Sequence, residues 1–543
     1  MYDFCCRAAI SGNGRFVAFN SRAVDLVPGD RNHTTDVFVK DLRSGAIERV
    51  SVGTAGREST GVCIGTRQDD ITKPPEEVGV MSGSGEPSIS RDGRFVAFSS
   101  CATNLVPGDT NKAADVFVYD RLKDSMNRAS VSSSGEQTPP DVFSAANPRV
   151  SLNRLPNISA NGRYVAFVSR AGSLVADDRN DADDVFVHDL RRHRTERVSL
   201  SSEGREGTRD GVNTDNLPAL SDDGRFVAFS SVLRDLVPGD TNGAGDVFVR
   251  DRKRDRTERV SVASDGTQGD VTGYGQVPAV FGDVSISRDG GLVSFGYLGG
   301  NLVPEDRNGT YDVFVHDRGS ARTSRVSVDS EGSEFTSEFR DNMWSVPASM
   351  SADGRYTTFV TWRFVDNLTF DDISCSPFGC GRDVYEHFIH DSRTGETSLL
   401  NDHRRRSRAL VGDTVDGRRI VFMSDGRRFV PGDTNGIADA FLHDRGGEVG
   451  AAPVHRAALS EPGGGNGVGT LLGARLVMRD GRRDLFGVIE VAKLGLPRSP
   501  IAYEMAFAVG DRRYEVRVGP SRQLAPALYD CSARTPIPCT KLG

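Results

Sequence analysis

The chain has 543 residues, is 37% hydrophobic and 26% charged, and carries a formal net charge of −8. Its basic residues are dispersed, which gives no footing for nucleic acid, a ligand that demands a basic face. It holds no run of 18 apolar residues, which excludes a membrane-spanning helix.

Taken in order, the chain writes one sentence seven times. The phrase G-R-F-V-A-F begins at Gly14, Gly93, Gly162 (with Tyr164 for its first Phe) and Gly224, and returns in weaker form at Gly290, Gly354 and Gly417. The phrase D-V-F-V-x-D begins at Asp36, Asp115, Asp184, Asp246 and Asp312, and decays at Glu386–Asp391 and Asp439–Asp444. The glycine steps are 79, 69, 62, 66, 64 and 63 residues, a period that signals a repeat architecture. Within Ser221–Val262 the β-branched and aromatic run Arg225–Phe229 follows an Asp-Gly turn, and Val247–Val249 and Val260–Val262 are two further short runs. With Pro218–Ser221 they make four antiparallel strands, a to d. No stretch has helical periodicity. Seven such units predict an all-β, seven-bladed β-propeller over 1–456, with blades near 7–52, 87–131, 155–200, 217–262, 283–328, 347–400 and 409–456. After the Gly463–Gly467 linker, alternating runs at 474–478, 486–491, 503–509 and 514–518 predict two hairpins. They would form a small β-sandwich-like domain over 457–543.

The segment PSISRDGRFVAF at Pro87–Phe98, followed by DVFVYD at Asp115–Asp120, resembles the WD40-like PD40 repeat of TolB-type propellers. The resemblance spans roughly residues 7 to 450. It implies the propeller fold and a family that includes the periplasmic protein-binding scaffold TolB and the propeller domains of some peptidases. The long b–c segment L-V-P-G-D-x-N departs from that repeat, so TolB's partner does not carry over.

In an antiparallel blade the b–c and d–a loops leave from one face and the short a–b and c–d turns from the other. All the long variable segments fall on the b–c/d–a face, where function usually sits. Phe143, Tyr274, Phe281, Phe335, Phe339 and Trp344 lie there, as candidates to line a binding surface or to plug the undersides of the loops. Six b–c loops read D-x-N-x-x-x-D: Asp30/Asn32/Asp36, Asp109/Asn111/Asp115, Asp178/Asn180/Asp184, Asp240/Asn242/Asp246, Asp306/Asn308/Asp312 and Asp433/Asn435/Asp439. Oxygens at positions 1, 3 and 7 match the opening of a calcium loop, without its Gly at 6 or its Glu at 12. The alternative is Asx-turn chemistry that caps strand c.

His188, His316, His390 and His443 occupy the x of D-V-F-V-x-D, where other copies carry Lys40, Tyr119 and Arg250. So tolerant a position reads as a solvated strand face. Neither G-x-S-x-G nor H-E-x-x-H occurs. Cys375/Cys380 and Cys531/Cys539 each close a small Pro-containing loop, as disulfides of an oxidising compartment do. Cys63 and Cys101 read as free thiols. Met1–Cys6 lacks the apolar core of a signal peptide, yet the first strand starts near Ala8, so a missing leader is expected. The expectation is a monomeric, exported, non-enzymatic propeller, extracellular or periplasmic, that binds a protein, peptide or glycan. The alternative is a hydrolase or lyase of extracellular polymer, with acids converging at the axial mouth.

Overall fold

The computed structural model describes residues 7–53, 56–60, 84–139, 153–180, 182–207, 217–270, 279–335, 343–365, 374–376, 379–400, 411–413, 417–424 and 439–445, and beyond them short strands between 456 and 542. The chain divides into two compact units, one of 1–427 with 436–441 and one of 428–435 with 442–543.

The first unit is an all-β propeller. Its first five sheets are four-stranded meanders in sequence order, and the sixth carries an extra strand. In the fourth sheet, strand a is Ala219–Leu220, b is Phe226–Ser231, c is Asp246–Asp251 and d is Arg256–Arg259. Alternation places Phe229 opposite Phe248, with ring centroids 5.8 Å apart. The same b–c ring pair recurs at Phe19/Phe38, Phe98/Phe117, Phe167/Phe186 and Phe295/Phe314. These rings are almost fully buried, because each sheet presses one face on its neighbour: Ala166 and Val187 of the third sheet share a core with Val227 and Phe248 of the fourth.

The periodic glycine makes the joint between sheets. Gly224 has φ of 71°, and a Cβ there would lie 2.3 Å from Cδ2 of Tyr164, the first residue of strand b in the preceding sheet. Only a residue without a side chain turns left-handed under that ring. Phe16, Phe95, Phe226, Leu292 and Tyr356 press in the same way on Gly93, Gly162, Gly290, Gly354 and Gly417. Arg419 of the seventh repeat donates to the Gly14 carbonyl of the first.

The second unit contains the expected hairpins, Leu471–Met478 with Leu485–Val491 and Tyr503–Val509 with Arg512–Val518. Two further strands, Ala527–Asp530 and Thr540–Leu542, extend the second hairpin.

Two expectations need correction. The x position of D-V-F-V-x-D is not a solvated face. His188, His316 and His390 are 2%, 5% and 7% exposed, and Arg250 is 5% exposed. The d–a hairpin of the preceding blade covers this residue: Thr195, hydrogen-bonded to His188, also donates to the Val131 carbonyl of blade two. Cys101 is not a free thiol but is disulfide-bonded. Cys63, Cys531 and Cys539 lie outside the described residues, whereas Cys375 stands directly opposite Cys380 in the strand register.

Candidate functional site: arginine-filled loops and bolted inner strands

The D-x-N-x-x-x-D residues converge, and what they converge on is an arginine from strand d. In blade four, Arg259 Nη1 lies 3.2 Å from Asp240 Oδ1 and 3.4 Å from Asp246 Oδ2. Asp246 Oδ1 accepts from Ser261 Oγ at 2.5 Å, and that oxygen in turn accepts the Val247 amide at 3.0 Å. Asn242 Nδ2 donates to Asp246 Oδ2 at 3.1 Å while its Oδ1 accepts the Ala244 amide at 3.0 Å. The amide oxygen a calcium ion would use is therefore turned onto backbone, as in an Asx turn.

Four other blades repeat the set. Arg49 pairs with Asp30 and Asp36, Arg128 with Asp109 and Asp115, Arg197 with Asp178 and Asp184, and Arg325 with Asp306 and Asp312, all at 3.0–3.5 Å. Thr34, Ala113, Ala182 and Thr310 amides donate to Asn32, Asn111, Asn180 and Asn308. Asp433 and Asn435 fall outside the described residues, and Asp439 opens a strand.

Nine residues after each arginine stands a further partner that the motif search missed. Glu58, Gln137, Glu206 and Glu334 bond that arginine at 2.9–3.2 Å. The same residues, and Gln268 in blade four, accept an amide from their own b–c loop at Arg31, Thr110, Arg179, Thr241 and Arg307. The d–a hairpin is thus stapled to the b–c loop. The fixed interval of nine was readable in the sequence.

Burial of two aspartates with one guanidinium has an electrostatic cost. Desolvation first, and the neighbouring carboxylate next, pushes the Asp109 carboxyl up to about 6 and that of Asp306 up to about 7. Desolvation likewise raises Asp184 and Asp246 to about 6.

The inner strands carry a second arrangement. Arg7, just before strand a of blade one, reaches Asp283, just before strand a of blade five, at 2.7 Å. Asp283 also accepts the Leu217 amide of blade four at 3.0 Å. These blades are not neighbours, so the contact bridges the axis. At the a–b end, Arg91 of blade two and Arg288 of blade five both bind Asp222 of blade four, Arg288 at 2.9 Å. Glu86, 3% exposed at a strand-a bulge with φ of 55°, accepts Ser99 Oγ at 3.0 Å and the Leu155 amide of blade three at 2.8 Å. Each of these inner-strand acids already has a donor.

Of the six loop aromatics, Phe281 packs on Tyr311 with centroids 5.1 Å apart, and Phe335 packs on Phe359 and Phe388 at 6.1 and 5.1 Å. Both plug loop undersides. Trp344 pairs in register with Trp362. Phe143, Tyr274 and Phe339 lie outside the described residues.

No protein-family model matches the sequence, and no curated protein matches it. Among solved structures it is similar to TolB from Acinetobacter baumannii, 12% identical over 81% of this chain and 76% of that one with a TM-score of 0.33. It is similar to the β-propeller domain of the Trilobed protease from Pyrococcus furiosus, 11% identical over 80% and 95% with a TM-score of 0.39. It is also similar to oligogalacturonate lyase from Vibrio parahaemolyticus, 10% identical over 81% and 82% with a TM-score of 0.37. TolB, the type that the Pro87–Asp120 segment resembles, is thus among the structural neighbours.

Proposed function

We propose that this chain is a non-enzymatic, monomeric binding propeller of seven blades, with a small β domain over 457–543. It works in the cell envelope or outside the cell and recognises a protein, peptide or glycan on its b–c/d–a face. The observation that carries this reading is the pairing of the inner-strand acids. Among the described residues, the inner-strand carboxylates Glu86, Asp222 and Asp283, which a propeller hydrolase or lyase would free for acid–base work, are instead tied to Arg7, Arg91 and Arg288 or to backbone amides. The stapled loops support it too, since a pre-ordered surface loses little entropy on binding. In this reading the loops need no calcium, because arginine supplies the positive charge. The disulfide at Cys101 and the register of Cys375 with Cys380 support an oxidising compartment.

The test sets purified full-length chain on peptide and glycan arrays, beside turnover assays on polysaccharides and peptides. Saturable binding without turnover is expected. Turnover abolished by Asp283→Asn would overturn the proposal in favour of a channel enzyme.

A further inference from the structure

In six of the repeats the x residue of D-V-F-V-x-D and the residue five places on are Lys40/Gly45, Tyr119/Asp124, His188/His193, Arg250/Asp255, His316/Ala321 and His390/Gly395. The second member sits in the c–d turn at positive φ, 51° for His193. In blade two the pair closes on itself, Tyr119 hydroxyl to Asp124 at 2.5 Å. In blade four Arg250 Nη2 reaches Asp255 Oδ1 at 3.0 Å. In blades five and six the histidine faces Ala321 or Gly395, which offer no polar side chain. Blade three alone among these six pairs two imidazoles, with centroids 6.5 Å apart. A cavity of about 210 Å³ lies beside them, lined by both rings and by Ser132, Ser133 and Ser134.

The hydrogen bonds decide the tautomer. Thr195 Oγ1 donates its single proton to the Val131 carbonyl. Its 2.8 Å contact with His188 Nδ1 is therefore a donation by the imidazole. That places the proton on Nδ1 and leaves Nε2 a free lone pair. A histidine whose second nitrogen donates to a fixed oxygen is the arrangement proteins use to orient metal ligands. His193 is exposed on the c–d turn.

We propose that His188 and His193 form a two-imidazole site for a late first-row divalent cation such as zinc, with water completing the shell. Imidazole suits zinc, nickel and copper and disfavours calcium and magnesium. Two protein ligands fall short of the three or four in dedicated zinc sites, so the affinity is modest. Exposed Arg191, Arg192 and Arg194 in and beside the same turn lower it further and favour an ion carrying an anionic co-ligand.

The experiment is calorimetric titration of the full chain with zinc chloride at pH 7.5, in wild type, His193→Ala and Thr195→Val, with the fold checked by circular dichroism. One equivalent is expected to bind this site in wild type. His193→Ala, a change on an exposed turn, should abolish that equivalent. Thr195→Val should weaken it about 10- to 100-fold, the usual effect of losing a partner that orients a ligand. No binding to wild type, or the same isotherm in His193→Ala, would overturn the proposal.

Discussion

The two faces of the propeller use the same residues to opposite effect. On the b–c/d–a face each loop arginine is buried among two aspartates, as Arg259 is with Asp240 and Asp246. On the other face Arg225 meets Asp251 alone, head-on, with Nε to Oδ1 at 2.9 Å and Nη2 to Oδ2 at 2.6 Å. Arg15/Asp41, Arg94/Asp120, Arg163/Asp189 and Arg355/Asp391 repeat this clamp. Each of these arginines also stacks on the ring beside it, Arg225 at 4.5 Å from the Phe226 centroid. The carboxyls respond in opposite directions. Desolvation raises Asp246 to about 6, whereas the hydrogen bonds from Arg15 hold Asp41 well below the usual range. In the blade-four socket desolvation of Asp246 outweighs the pull of the shared guanidinium, whereas in the Arg15 clamp the guanidinium, with a backbone amide on the same carboxyl, outweighs desolvation of Asp41. Geometry, not composition, sets the sign.

The largest break in this comparison is Arg259→Ala. It strands Asp246, 0% exposed at the side chain, without a counter-charge, and leaves Asp240, 6% exposed, with only the weaker pull of Arg234. The loss should be about 3–5 kcal/mol in chemical denaturation. Next comes the joint between blades. Gly224→Ala should cost ~1–2 kcal/mol for the left-handed backbone, with ~1–3 kcal/mol more for overpacking against Tyr164. Arg225→Ala, at the opposite, solvent-screened face, should cost clearly less than Arg259→Ala in the same denaturation. If Arg225→Ala proves as damaging as Arg259→Ala, the contrast between the faces fails.

A subtler change sharpens the contrast through pH. The folded pKa of Asp306 is raised to about 7 from 3.8, so the folded state binds its proton more tightly than the unfolded chain does. Ionisation therefore costs stability, progressively, as pH rises from about 4 through 7. Asp306→Asn should melt higher than wild type at pH 8, and the gap should close by pH 4. The clamp carboxyls behave inversely: Asp41 contributes stability above its unfolded pKa and loses it as pH falls further. Comparing the variant with wild type cancels the buried histidines, whose lowered pKa values work against stability below their unfolded value.

Strands were legible in the sequence because alternation and the Asp-Gly turn are local. Arg225–Phe229 and Val247–Val249 lie at strands b and c as read, shifted by a residue or two. The loop motif was legible as a cluster of oxygens but not as an arginine socket. Its cation stands 13 residues past the last aspartate, on strand d, where Arg49 or Arg259 resembles any other exposed-strand arginine. The burial of His188 was illegible because the next element to cover it is a hairpin of another blade, more than fifty residues away. Cross-axis pairs such as Arg7–Asp283 depend on ring closure, which no spacing within a repeat encodes.

The account rests on arginine, not metal, holding the D-x-N-x-x-x-D loops, and one melt addresses it. Wild-type protein is heated in millimolar calcium and, separately, in chelator. With each socket already filled by Arg49, Arg128, Arg197, Arg259 or Arg325, the two melting temperatures should coincide. A higher melting temperature in calcium that shrinks in Asp240→Ala would contradict the account, since a ligand that binds only the folded state stabilises it by RT ln(1 + [L]/Kd).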